Sequence, residues 1–150
     1  VYDCALEPAR WPDTLEALRR ELGFATAVLG FHELPSGRVL LSAASGIAPE
    51  WLARVPAHAA DVVELWGGEQ ALRQLPLDRP AIASRVNAAA ARTRYAREWG
   101  EPQGLIDSLA FVLARDAGGV GALALGRHRD AGAIGEREVT LAQALLPHLQ

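Results

Sequence analysis

Two turn signatures set most of what this chain can become. Leu34-Pro35-Ser36-Gly37 parts an apolar run, Phe24 to His32, from an extended run, Arg38 to Ser45. Asp116-Ala117-Gly118-Gly119 does the same between the runs Ile106 to Arg115 and Val120 to Arg127. Apolar runs joined by short glycine-bearing turns read as β-hairpins. Strands joined that tightly run antiparallel, so the two hairpins predict an antiparallel sheet.

The stretch between the hairpins is patterned as helix. Pro49 opens a segment through Glu50, Trp51, Leu52 and Val55, which Pro56 kinks or ends because it has no amide donor. Asp61 to Trp66 is apolar and short, open to loop or helix. Gly67-Gly68 is a break, Ala71, Leu72 and Leu75 point to another short helix, and Ala81 to Ser84 reads as a short strand. Residues 86–99 are alanine-rich and favour helix by propensity, with Ala88, Ala91, Tyr95 and Trp99 on one face.

Both ends of the chain are helical as well. Asp13-x-x-Glu16 after Pro12 reads as a capping box, and Trp11, Leu15, Leu18 and Leu22 form one apolar stripe closed by Gly23. Glu136 to Leu146 carries Val139, Ala142, Leu145 and Leu149 roughly in line, with Pro147 marking a bend or a new helix start. The order is helix, two strands, a helical middle with one short strand, two strands, helix, and its tight turns imply an antiparallel sheet. No repeat or linker interrupts it, so residues 1–150 read as one domain.

Composition excludes several classes. Every one of the 15 basic residues is arginine, yet the net charge is −3, which lacks the electrostatic footprint of phosphate-backbone binding. No apolar run of membrane-spanning length occurs, and no signal peptide opens the chain. Cys4 is the single cysteine, too few for a disulfide framework, so a reducing cytoplasm fits best. With no Met, even at position 1, the expectation is that an upstream piece was trimmed. No His-x-x-x-His or Cys/His spacing predicts a metal, and no cofactor is expected. Ser36, Ser42, Ser45, Ser84 and Ser108 all lack a nucleophile elbow. Gly118-Gly119-x-Gly121 lacks the lysine of a phosphate loop. A non-enzymatic role is the expectation.

Three segments carry a family likeness: Tyr2-Asp3-x-Ala5-Leu6-x-Pro8-x-x-Trp11-Pro12, Gly46-Ile47-x-Pro49-Glu50-Trp51, and Tyr95-x-x-Glu98-Trp99-x-x-Pro102-Gln103-Gly104-Leu105. Together they resemble the N-terminal sensory region of LuxR-type helix-turn-helix transcriptional regulators, in the broad PAS/GAF-like class. The resemblance implies an α+β fold, an α/β/α sandwich around a central antiparallel sheet of five or six strands, with terminal helices over one face and middle helices over the other. It also implies a pocket between the sheet and the middle helices, an unknown small-molecule ligand, a homodimer, and signalling through the last helix. It implies DNA contact only through a separate downstream domain, and no membrane partner. Acyl-homoserine-lactone receptors of this class place a Trp, a Tyr and an Asp around the lactone. Here Trp51, His58, Asp61 and Trp66 occupy the comparable stretch with no Tyr before Asp61, so that ligand is not carried over.

Trp51, Trp66, Tyr95 and Trp99 are the most informative side chains. Aromatic walls with one polar tip each suit a mostly apolar ligand. The same rings serve equally as plain core, each burying roughly 150–250 Å². His58 and Asp61 read either as a polar pair at the pocket edge or as a helix end. With the apolar Val55, Val62 and Phe111, the expected ligand-binding set is Trp51, Val55, His58, Val62, Trp66, Tyr95, Trp99 and Phe111. Arg92, Arg94 and Arg97 form a basic band beside Glu98 and Glu101, read as a solvated helix face or as an anion or partner surface. The alternative to a sensor is a ligand-free dimerisation module, since small residues such as Ala88 to Ala91 permit close packing without a cavity.

Overall fold

The computed structural model describes residues 7–150. Cys4 and the opening Tyr2-Asp3-x-Ala5-Leu6 therefore lie outside the described residues. Helix α1 (Trp11–Leu22) buries Leu15, Leu18 and Leu22 and stops at Gly23, whose φ of 76° is the left-handed turn that glycine adopts without strain. The expected capping box is not formed. The helix already begins at Trp11 with Arg10 at the cap position and no side-chain cap. Asp13 thus falls inside the first turn, and Glu16 is engaged elsewhere, pairing with Arg19 and Arg20 and accepting from Ser45 Oγ.

Five strands form one antiparallel sheet: β1 (Thr26–Glu33), β2 (Val39–Ser45), β3 (Ala81–Ile82), β4 (Leu105–Asp116) and β5 (Gly119–His128). Their order is β2-β1-β5-β4-β3, the lower of the two expected strand counts. Strand β5 is paired on both sides, to β1 from Thr26–Gly126 through Glu33–Gly119 and to β4 across its whole length.

The two faces of the sheet are covered by different helices, as expected. On one face α1 and the last helix, α6 (Glu136–Leu149), pack Leu15, Leu22, Ala142 and Leu146 against Ala27, Leu109, Phe111, Leu123 and Leu125. On the other, the middle of the chain supplies α2 (Pro49–Leu52), a 3-10 turn (Val55–His58), α3 (Ala59–Leu65), α4 (Glu69–Arg73) and α5 (Ala83–Val86). Val63, Leu65, Trp66 and Leu72 from this layer pack on Ala110, Val112 and Val120.

The continuous helix expected over 86–99 is broken in two places by side chains that compete for backbone groups. Asn87 is extended; its Nδ2 donates to the Glu64 and Leu65 carbonyls and its Oδ1 accepts from the Ala89 amide. Thr93 Oγ1 donates to the Ala90 carbonyl and accepts from the Ala96 amide. What remains is a 3-10 turn, Ala90–Arg92, and a π-helical turn, Tyr95–Gly100.

A buried guanidinium closes the terminal-helix layer. Arg127 is 5% exposed and donates to the carbonyls of Gly23 at 2.7 Å, Ala131 at 2.8 Å and Gly132 at 2.9 Å. It also meets Glu138 at 3.4 Å and lies over the Phe24 ring. Glu138 in turn accepts from the Gly135 amide at 2.8 Å, capping α6. Because a buried charge without partners is strongly unfavourable, Arg127→Ala should lower unfolding free energy by about 3–5 kcal/mol in urea titration. The Gly135 hydrogen bond, helped by Arg127, holds the Glu138 carboxyl below its ordinary value of 4.5. A carboxylate with a depressed pKa stabilises the fold above its unfolded value, and that stability is lost as pH falls through the depressed one. Glu138→Gln should therefore flatten the acid limb of a stability-versus-pH curve below pH 4.5.

Candidate functional site

The sheet is asymmetric because β5 alternates large and small residues. Leu123 and Leu125 point toward α1 and α6, while Ala122, Ala124 and Gly126 occupy the opposite parity. Partners in the ladder share a face, so Ala124 lies beside Val28 and Ala110, and Gly126 beside Thr26 and Ser108. A Cβ on Gly126 would collide with Thr26 Oγ1. The large side of the sheet packs solid. The small side leaves a cavity of about 480 Å³ beneath the middle layer, within the range of small-molecule sites.

The cavity is floored by Thr26, Val28, Ser108, Ala124 and Gly126, walled by His32 and by Val39 and Leu41 of β2, and roofed by Val55, Val62, Leu65, Tyr95 and Trp99. Tyr95 and Trp99 stack with centroids 5.1 Å apart, and Trp99 Nε1 donates to the Trp51 carbonyl at 2.9 Å. Four polar groups face this apolar space without a hydrogen-bond partner among the described residues: the Thr26 and Ser108 hydroxyls, the Tyr95 phenol and His32 Nδ1. Burial pushes the Tyr95 phenol above its ordinary value of 10.0, keeping it a donor. Burial likewise depresses the His32 imidazole below 6.5, keeping it neutral.

Of the eight expected residues, the structure brings Val55, Val62, Tyr95 and Trp99 to the cavity. The side chains of the other four are not on its lining. Phe111 pairs with Leu123 and shares its parity, so its ring lies in the core on the terminal-helix side of the sheet. Trp66 is 3% exposed and packed among Leu72, Leu75 and Ala83, not at the cavity. The Trp51 ring is half-buried under the Arg54 guanidinium at 4.5 Å, and only its carbonyl serves the site. His58 is buried away from the cavity, 2.9 Å from Asp61, which also meets Arg94 at 3.5 Å. Of the helical face expected from Ala88, Ala91, Tyr95 and Trp99, only Ala88 is absent from the lining.

Thr26, His32 and Ser108 were not expected. The signal that finds them is the Ala122-Leu123-Ala124-Leu125-Gly126 alternation: it marks one hollow face, and register then carries that face to the neighbouring strands. Among the described residues no group of three His, Cys, Asp or Glu side chains could hold a metal ion.

No protein-family model matches the sequence, and no curated protein does. Solved structures match by shape. The VqsR LBD domain from Pseudomonas aeruginosa superposes with a TM-score of 0.75 at 12% identity, covering 99% of this chain and 86% of that one. The GAF domain/HD domain protein from Geobacter sulfurreducens gives 0.60 at 12% identity over 95% and 88%. The red/green cyanobacteriochrome NpR6012g4 gives 0.55 at 15% identity over 91% and 86%. The chain shares the α+β fold of these solved domains.

Two measurements check this geometry. Trp99→Ala, which empties a 1%-exposed site, should cost about 3–5 kcal/mol, whereas Trp51→Ala should stay below about 2 kcal/mol. For His32, a folded-state pKa below the unfolded one means the unfolded chain binds the extra proton, so stability falls as pH drops below 6.5. His32→Phe should remove that slope from urea midpoints measured down to the depressed value.

Proposed function

We propose that this chain is the sensory domain of a LuxR-type bacterial transcriptional regulator, binding a small apolar or amphipathic molecule between the sheet and the middle helices. The carrying observation is the cavity of about 480 Å³ with four polar groups left without a hydrogen-bond partner among the described residues. An apolar pocket with a few convergent polar groups is the usual form of a ligand site. The shared fold with the VqsR LBD domain and with GAF proteins supports the same reading. Binding without catalysis is part of the proposal. Among the described residues the lining Ser84 hydroxyl donates to the Asp107 carboxylate at 2.5 Å, but no histidine is hydrogen-bonded to that pair, and the Thr26, Ser108 and Tyr95 hydroxyls meet no base of the kind that activates a nucleophile. Occupancy is read out through α6, which Arg127 ties to the end of the central strand β5, in a cytoplasmic homodimer. No described helix is long and apolar enough to cross a membrane, which agrees with that setting.

A second reading, a ligand-free dimerisation module, draws on leucines exposed on edge strand β2, Leu40 at 47% and Leu41 at 37%, and on Leu141 of α6 at 39%. Thermal-shift screening of amphipathic metabolites separates the two. A ligand at a hundred times its Kd adds about 2.7 kcal/mol, or roughly 5–10 °C for a chain of this size. That shift should appear in the wild type and vanish in Ala124→Phe, which fills the cavity. If no compound raises Tm, and sedimentation shows a tight dimer whose Tm Ala124→Phe leaves unchanged or raises, the module reading replaces the sensor.

A further inference from the structure

The outer side of the cavity roof carries a second concavity, lined by Arg92, Arg94, Arg97 and Arg129 with Glu98 and Glu101. Arg129 and Glu101 line both this basin and the apolar cavity, so the two adjoin. The π-helical turn Tyr95–Gly100 separates them: Tyr95, Ala96 and Trp99 face inward, while Arg97 and Glu98 line the basin. The basic band of the sequence is thereby concentrated at one mouth.

Its charge is not neutralised locally. Arg94 is engaged by Glu98 at 2.9 Å and by Asp61 at 3.5 Å. The guanidinium groups of Arg92, Arg97 and Arg129 have no ion-pair or hydrogen-bond partner among the described residues, and one further carboxylate, Glu101, shares their basin. On a chain of net charge −3, this is a local excess of positive charge at the threshold of an apolar cavity. Clefts lined by one sign of charge focus the field and raise the local concentration of opposite charge. Inside, the free polar groups are neutral hydroxyls and an imidazole, and a bare anion there would lose its hydration without a charged partner.

We propose that the ligand is an amphipath with an anionic head: its apolar part enters between Val28, Ala124, Val55 and Trp99, and its carboxylate or phosphate stays at the mouth on Arg92, Arg97 and Arg129. The planar guanidinium fork matches both head groups, and such charge-assisted hydrogen bonds are roughly twice as strong as neutral ones. This rests on the cavity being a ligand site, and it adds the chemical class of the ligand.

The test is calorimetric titration with decanoate, decyl phosphate and decanol, each below its micelle concentration, at low and high salt. At least one anion should bind about tenfold tighter than decanol at low salt, with the ratio shrinking as salt screens the mouth. Which anion holds the advantage separates a carboxylate from a phosphate head. Arg97→Gln/Arg129→Gln should collapse the anion-to-decanol ratio toward one. Arg79→Gln/Arg137→Gln removes the same charge from exposed positions outside the basin and should keep the ratio. Equal affinity for all three compounds, a ratio that survives Arg97→Gln/Arg129→Gln, or a ratio lost equally in the control pair overturns the proposal. If decanol binds and the anions gain nothing, only the head-group inference falls. If none of the three binds, the reading of the cavity as a ligand site falls with it.

Discussion

The pleat of β5 is the constraint on which the rest of the molecule depends. A strand hydrogen-bonded on both edges cannot rotate to hide a mismatch, so each residue is committed to one face by its position alone. Leu123 and Leu125 on one parity and Ala122, Ala124 and Gly126 on the other make the two faces unequal before any helix is added. The helices of the large side close on a dense core. Those of the small side span a gap they do not fill, and the aromatic stack of Tyr95 and Trp99 stands over it.

The irregular middle of the chain follows from the same need. A straight helix over 86–99 would present a single stripe to the sheet. Asn87 and Thr93 instead divert backbone bonds into their own side chains, and the chain turns through 3-10 and π segments. The π turn sets Tyr95 and Trp99 four residues apart in register to stack, and leaves arginines on its outer side. His58, Asp61 and Arg94 then fasten this turn to α3 from behind.

The sequence was most legible where pattern and physics coincide over many residues. Both hairpins, the terminal helices and the antiparallel sheet follow from turn chemistry and periodicity, and all stand in the structure. It was least legible where one residue decides. Phe111 is a single position out of phase with the cavity, and nothing in a short apolar run states which parity is hollow until the Ala/Gly alternation of β5 is used. Alanine-rich propensity favoured a helix that two polar side chains interrupt. Trp51 and Trp66 illustrate the ambiguity of aromatic residues: one gives the site its carbonyl, the other fills a neighbouring core. Small residues carried the information that bulky ones were expected to carry.

Gly126 and Arg127 are consecutive in β5, yet the first floors the cavity and the second clamps the start of α6 and the end of α1. One peptide unit joins them, with no loop to absorb slack. A tilt of that peptide on the hollow side acts as a lever on the opposite side, so the cavity floor and the placement of both helices share a single fulcrum in the backbone.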